Sequence, residues 1–365
     1  LHEPYRRQRQ MCIRDSFQID GRMIPPETLA DLTERVLDAA DAVQAAGGPA
    51  PVQFEAVTAV AFLWFAQEKC DLVVLETGLG GRYDATNVVT NTLISAITRI
   101  GMDHMALLGN TIAEIAGEKA GIIKEGCTVV CYPDQPPEAM GPILTAAAEK
   151  HATIVTPDPE DLIRRKGRPL ENRIDYGGYE VALNFPGRHQ GHHAAMAVEI
   201  ALTLWRNYGY DISDEAILEG LKQASLPARI EVLRRHPLLL LDGCHNPDGA
   251  SGLAQTLADA GYSENLVAVI GMVADKDCDG FLEKLEPCFA KVFTTAPATP
   301  RALSAEEMYK KARFHFDAEV GGTVAEAIRK AVDYADDNTL AGVVVCGSLY
   351  LAAQARPILL EEAKN

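Results

Sequence analysis

Residues 71–124 read DLVVLETGLGGRYDATNVVTNTLISAITRIGMDHMALLGNTIAEIAGEKAGIIK. Within them, Leu72–Leu75 is a short apolar run with an acid at either end, which predicts a buried parallel strand. Glu76 falls where that strand stops, and open α/β sheets bind ligands at strand carboxyl ends. Leu93–Ile100 predicts a second strand, with Asp103 and His104 in the loop after it. Neighbouring strands would bring Glu76 and His104 to one crevice, the outline of a metal or phosphate site. Taken singly, Glu76 reads as a strand-end carboxylate and His104 as a solvated loop histidine. Together they favour a hard cation such as Mg²⁺, bound alongside phosphate oxygens.

Working outward, Thr111–Ile123 predicts a helix whose apolar stripe contains Ile112, Ile115 and Ile122/Ile123. Lys119 lies in the middle of that stripe. An inward lysine is desolvated, which favours its neutral amine, and a neutral amine can take up carbon dioxide as a carbamate. A lysine snorkelling past the apolar face is the other reading. The loop Gly78–Asn87, GLGGRYDATN, is not a dinucleotide fingerprint, because the third glycine of GxGxxG would fall at Tyr83. Its glycines suit a close approach of backbone to ligand, with Arg82 and Asp84 in reach, or else a tight polar turn.

On either side the pattern is α/β. Ile24–Ala46 and Gln53–Lys69 predict helices, the second nearly all apolar from Ala56 to Ala66 and so expected to be buried. Cys127–Tyr132, Thr153–Val155 and Ile174–Leu183 read as extended, the last turning at Gly177-Gly178. Gln190–Asn207 and Ser213–Ala224 read as helices. After Pro227 the pattern restarts, with strands near Ile230–Leu233 and Leu238–Leu241 and then alternating helix and strand to Gly347. This predicts two domains, 1–226 and 227–365.

Thirty-four Lys plus Arg against 51 Asp plus Glu give a net charge of −17, a poor match to the clustered positive charge that nucleic acid requires. Anionic substrates would therefore need local Arg, Lys or metal. The eight cysteines form no CxxC pair, which favours a reduced cytoplasmic protein over a disulfide framework or zinc site. No apolar run reaches membrane-spanning length.

Ten stretches in order, FEAVTAVAF, LETGLGGRYDATNVV, IGMDH, GEKAGIIK, PGRHQ, PARIEVL, LLDGCHNPDGA, ADKD, TPRALSAEE and VVVCGSLYLA, run from Phe54 to Ala352. They resemble the folylpolyglutamate synthase/dihydrofolate synthase family, ATP-dependent ligases of the Mur ligase superfamily. The resemblance implies an incomplete P-loop-type central domain plus a C-terminal Rossmann-like α/β domain. It implies a ligase that adds L-glutamate to dihydropteroate or folate, with ATP as co-substrate and Mg²⁺ as cofactor. A Mur-type or cyanophycin-type amino-acid ligase is the alternative within the class. Glu76 and His104 would bind the magnesium and Lys119 would be the carbamylated lysine. Phe54 and Glu55, at a helix start that in relatives helps bind the pteridine-bearing substrate, offer a stacking surface or an ordinary core aromatic.

Asp242, at the end of Leu238–Leu241 and before a helix opening at Pro247, suits a nucleotide contact. His245 suits the incoming amino acid or the reacting phosphate, Arg229 a clamp on the transferring phosphate, and Ser348 the amino-acid end of the cleft. Where relatives read HQxxN, with the asparagine on the nucleotide, this chain has His193. Where they read PGR it has Pro227-Ala228-Arg229, and an alanine held at positive φ there would cost about 1 kcal/mol or more. Relatives are usually monomeric, so a monomer is expected.

The start of the chain departs further. Relatives carry a phosphate-binding loop of the form GTNGKGS, then the signature SPHL, whereas no Gly-Lys dipeptide occurs here. Leu1–Arg6 resembles the residues that come after SPH in relatives. The chain is therefore expected to begin beyond that loop, without the first βαβ unit or the serine magnesium ligand. An inactive fragment is the alternative reading on that ground. Gln10–Ser16, QMCIRDS, is the in-frame translation of a transposase adapter used in sequencing libraries, so Arg7–Ser16 is expected to contain an artefact without function, a polar surface insertion being the other reading.

Overall fold

Residues 17–364 are described by a computed structural model of the chain. The stretch 7–16, and the expectations attached to it, lie outside the described residues.

Leu238–Leu241 is fully apolar and fully buried, and it sits inside a six-stranded sheet. The strand order is Ala318–Gly322, Phe289–Thr295, Leu266–Ile270, Gly342–Cys346, Leu238–Leu241, Glu231–Arg235. The first five run parallel and Glu231–Arg235 closes the edge antiparallel. Helices cover both faces, which is why the central strands are apolar at every position instead of alternating. Pro247–Asp259, Cys278–Leu285 and Ala305–Ala312 bury Leu253, Phe281 and Met308 on one face. Val324–Asp337 and Leu349–Glu362 bury Ile328, Leu351 and Leu359 on the other. Leu238–Leu241 and Gly342–Cys346 are neighbours in this sheet, so the loops at their carboxyl ends lie side by side.

Before Pro227, Ile94–Ile97, Thr128–Cys131 and Thr153–Val155 form a three-stranded parallel sheet. Its central strand, TVVC, is buried on both faces. Val129 and Cys131 pack with Ile115 and Ile143, while Val130 and Tyr132 pack with Met196 of the helix Arg188–Tyr208. Leu162–Arg165, Asn172–Tyr176 and Tyr179–Leu183 make an antiparallel meander. Gly177 and Gly178, at φ +58° and +95°, supply the two left-handed residues that its tight turn requires. The helices Pro26–Ala45 and Gln53–Gln67 pack together around Leu32, Val60 and Trp64.

Two expectations are corrected. Leu72–Leu75 is not a buried strand: among the described residues no strand pairs with it, and Val74 is 90% exposed. An apolar run records which faces a segment can bury, whereas a strand also needs a neighbour to take its backbone hydrogen bonds. The helix Gln53–Gln67 buries only one side, through Thr58, Val60, Ala61 and Trp64, because among the described residues the helix Pro26–Ala45 is the main element packed against it.

Replacing Leu240, fully buried in the central sheet, with Ala should destabilise the protein by about 3 kcal/mol in urea unfolding. Val74→Ser should change stability by less than about 0.5 kcal/mol. Comparable losses for both would mean that Val74 is buried in solution.

Candidate active site

The glycine-rich loop is stitched into one conformation by a single carboxylate. Asp84 Oδ2 accepts the N–H groups of Gly78 and Leu79 at 2.8 and 2.9 Å, and Oδ1 accepts the Thr86 N–H and hydroxyl at 2.9 and 2.6 Å. Burial would raise its pKa, but these hydrogen bonds outweigh it and hold the group below the usual range. Four accepted bonds fill the lone pairs of a carboxylate, so Asp84 acts on the loop more than on anything beyond it. Arg82 is anchored the same way, to Glu118 Oε1 and the Gly117 carbonyl, both at 3.1 Å. Gly81 lets the loop lie against the next helix, since a Cβ there would come within 2.8 Å of the Glu118 and Lys119 carbonyl oxygens.

Phe54 stands over this loop with its ring against Gly78, and it remains 41% exposed. Glu55 turns back to cap its own helix, accepting the Val52 N–H at 2.8 Å. Phe54, Glu55, Leu79, Tyr83 and Leu107 line a mainly apolar pocket of about 280 Å³. An aromatic face and a glycine-lined floor fit a flat heterocycle.

Beside the pocket, the two halves of the chain meet on Asp103. Its Oδ1 accepts from Lys276 Nζ at 2.7 Å and its Oδ2 from Asn246 Nδ2 at 3.0 Å. His245 Nε2 lies 3.7 Å from Oδ2, with Nδ1 turned to the Gly243 carbonyl at 3.1 Å, and His104 Nε2 lies 4.0 Å away. Burial acts to raise the pKa of Asp103, yet the Lys276 hydrogen bond and charge bring it down to about 2. Lys276 is only 14% exposed on its side chain, so this is a shielded, charge-assisted contact worth about 1.5–3 kcal/mol. Sequence reasoning missed Asp103, Lys276 and Asn246 as a unit, although IGMDH, ADKD and CHNP carry all three.

Lys119 lies half-buried in the helix Ile112–Ala120, as its place in the apolar stripe predicts. Burial pushes its ammonium pKa down, against a partial upward pull from Asp103. No hydrogen bond or ion pair joins its amine to another described residue. His104 sits at φ +52° where a one-turn helix begins, and Glu76 is exposed on the unpaired segment before the loop. Among the described residues, no three His, Cys, Asp or Glu side chains form a ready-made metal cluster. A hard cation takes oxygen donors, so Lys119 would fit one only as its carbamate, beside the carboxylate of Glu76.

At the junction, Ala228 adopts φ +57° and Ile230 φ +49°, with Arg229 exposed between them. Buried Asp242 accepts the Ile230 N–H at 2.7 Å and the Cys244 N–H at 2.9 Å. His189 and His193 face the same region, their rings edge to face at 6.0 Å, and Arg229 acts electrostatically on both. Burial first, then His189, His192 and Arg229, lowers the His193 pKa to about 4, so its imidazole is neutral at pH 7 and able to donate or accept one hydrogen bond. The buried Ser348 hydroxyl oxygen caps the last helix at Leu351 N–H, 3.0 Å. Its loop touches that of His245 through the Gly347 N–H on the Cys244 carbonyl, 3.1 Å.

The structure therefore joins His245 to the Asp103 cluster beside His104, and gathers His193, Arg229 and Asp242 at the junction. It brings Phe54, Glu55 and Asp84 to one pocket. It does not link Glu76 to His104 or Lys119 by any hydrogen bond or ion pair among the described residues.

Residues 228–349 match the family of Mur ligase glutamate ligase domains. The dihydrofolate synthase/folylpolyglutamate synthase of Mycobacterium tuberculosis is 34% identical over 378 residues, covering 94% of this chain and 77% of that protein. Its namesake from Bacillus subtilis is 35% identical over 307 residues, covering 82% and 71%. Among solved structures, the M. tuberculosis folylpolyglutamate synthase complexed with ADP and AMPPCP superposes with a TM-score of 0.81 at 32% identity, covering 93% of this chain and 80% of that one.

Ala228→Gly should stabilise the protein by about 0.5–1 kcal/mol, because glycine relieves the left-handed alanine at some cost in unfolded-state entropy. An unchanged or lower urea midpoint would contradict the assigned φ. His193 takes up a proton in the unfolded chain near 6.5 but in the folded protein only near 4. Its contribution to stability is therefore complete above pH 6.5 and lost as pH falls from 6.5 toward 4. Thermal midpoints across that window should fall less steeply in His193→Asn than in the parent.

Proposed function

This chain belongs to the dihydrofolate synthase/folylpolyglutamate synthase family, and on that premise we propose that it is an ATP-dependent ligase joining the amine of L-glutamate to a carboxylate of dihydropteroate or a folate. The observation that carries this reading is the convergence on Asp103 of Lys276, Asn246 and His245 from the second half of the chain, next to Lys119 and His104 from the first. A ligase of three substrates must bring groups from separate binding surfaces to one reacting carboxyl, and this junction supplies that meeting point. The reading divides the chain into an ATP- and folate-binding domain, 1–226, and a glutamate-ligase domain, 227–365.

In the first step a carboxylate oxygen attacks the γ-phosphorus of ATP, and ADP leaves with the electron pair of the broken P–O bond. The acyl phosphate that forms is then attacked at carbon by the uncharged amine of glutamate. The tetrahedral intermediate expels phosphate, and the nitrogen gives up a proton. Phe54 and the 280 Å³ pocket take the pterin, with Glu55 and Asp84 in its lining and Arg82 bound to the lining residue Glu118. Arg229 clamps the transferring phosphate, Asp242 contacts the nucleotide and His193 faces the base. His245 and Ser348 receive the glutamate. Glu76, His104 and the Lys119 carbamate would hold magnesium, which supplies charge neutralisation at the phosphate oxygens. Closure of the second domain over the first keeps water from the acyl phosphate. The setting is cytoplasmic and the working unit is one chain; no helix among the described residues is long and apolar enough to cross a membrane.

ATP hydrolysis should require both L-glutamate and dihydropteroate or tetrahydrofolate, and mass spectrometry should find the product one glutamyl unit heavier. Turnover indifferent to glutamate, or coupled to a different amino acid, would replace this reading with another amino-acid ligase. Lys119→Ala should lower kcat about 100-fold, and added acetate should restore part of it by standing in for the carbamate. Full activity in Lys119→Ala would remove the lysine from the site.

A further inference from the structure

Arg229 is flanked by two buried residues in the left-handed region, one of them the β-branched Ile230. Such a backbone persists only where its surroundings over-determine it. Three hydrogen bonds do so here. The Ile230 N–H donates to Asp242 Oδ2 at 2.7 Å, the Ala228 carbonyl accepts from the Gly243 N–H at 2.8 Å, and the Ala228 N–H donates to Glu231 Oε2 at 3.0 Å. Asp242 and Gly243 belong to the site already described. Glu231 does not.

Both oxygens of Glu231 are gripped by Arg356, whose Nε and Nη2 make three contacts of 2.7–3.1 Å. Arg356 lies 125 residues further on, in the helix Leu349–Glu362. A two-pronged guanidinium fixes the plane of a carboxylate, which in turn fixes the direction of the oxygen facing Ala228. The Glu231 side chain is 19% exposed, so solvent screens this pair only in part. Both residues, with Arg229, line a cavity of about 510 Å³ under the junction, so the guanidinium of Arg229 has room to swing if its backbone is released.

We infer that Glu231 and Arg356 are positioning residues, whose ion pair holds the Ala228 N–H and thereby aims Arg229 at the nucleotide phosphates. The inference rests on the role given to Arg229 above. An ion pair that merely fastened the last helix to the edge strand would stabilise the fold without regard to Arg229, and the two cases separate by experiment.

Magnesium ADP affinity should be measured by calorimetry for the parent, Arg229→Ala, Arg356→Met, the double variant and Arg356→Lys. Arg356→Met should weaken binding about tenfold, the scale of one lost charge-assisted hydrogen bond, with partial recovery in Arg356→Lys. In the Arg229→Ala background the same change should cost nothing further. An equal loss in both backgrounds, or none in either, overturns the inference. Hydrogen exchange over residues 225–231 gives a second readout, and Arg356→Met should accelerate it. No acceleration overturns the positioning role itself. An Arg229→Ala affinity equal to that of the parent would instead overturn the nucleotide role of Arg229.

Discussion

The carboxylate of Asp103 is the contact on which the site depends. It lies in the loop after the strand Ile94–Ile97 and accepts the His104 N–H there, yet its side-chain donors, Lys276 and Asn246, come from two separate loops of the six-stranded sheet. A partly shielded carboxylate needs compensating donors, and a partly shielded lysine needs a counter-ion, so each half of the chain completes the other. Gly101 contributes by having no side chain, since a Cβ there would collide with the Asp248 carboxylate at the start of the helix Pro247–Asp259. The same carboxylate lies 3.7 Å from His245 Nε2 and acts electrostatically on Lys119.

A second constraint acts at the junction after Pro227. The backbone there is locally unfavourable at Ala228 and Ile230, and it is held by carboxylates instead of by apolar packing alone. Strain of this kind concentrates where a side chain has to be aimed, and Arg229 is the side chain between. Three hydrogen bonds around the tripeptide offset the torsional cost of an alanine where a glycine would be easier.

Much of this is legible in the residues. The apolar run Leu238–Leu241 reads as a strand, and the structure makes it one that is buried throughout. Lys119 stands out as a charged residue in an apolar stripe, and burial there lowers its ammonium pKa. The Gly177-Gly178 turn comes from the positive φ that only glycine adopts freely. Leu72–Leu75 misleads because its apolarity carries no information about a neighbouring strand. Asp84 reads as a ligand contact, whereas its four hydrogen bonds turn it inward on its own loop.

What is local or periodic could be read from the residues: most strands and helices, the alternation that makes a second α/β unit, the loop glycines, and the family pattern spread across ten short motifs. Tertiary structure alone decided which distant side chains share a charge. Asp103 with Lys276 is separated by 173 residues and Glu231 with Arg356 by 125. The reason is physical: periodicity reports how a segment meets its immediate surroundings, while an ion pair between remote loops depends on where two sheets place their strand ends, which no single stretch of chain encodes.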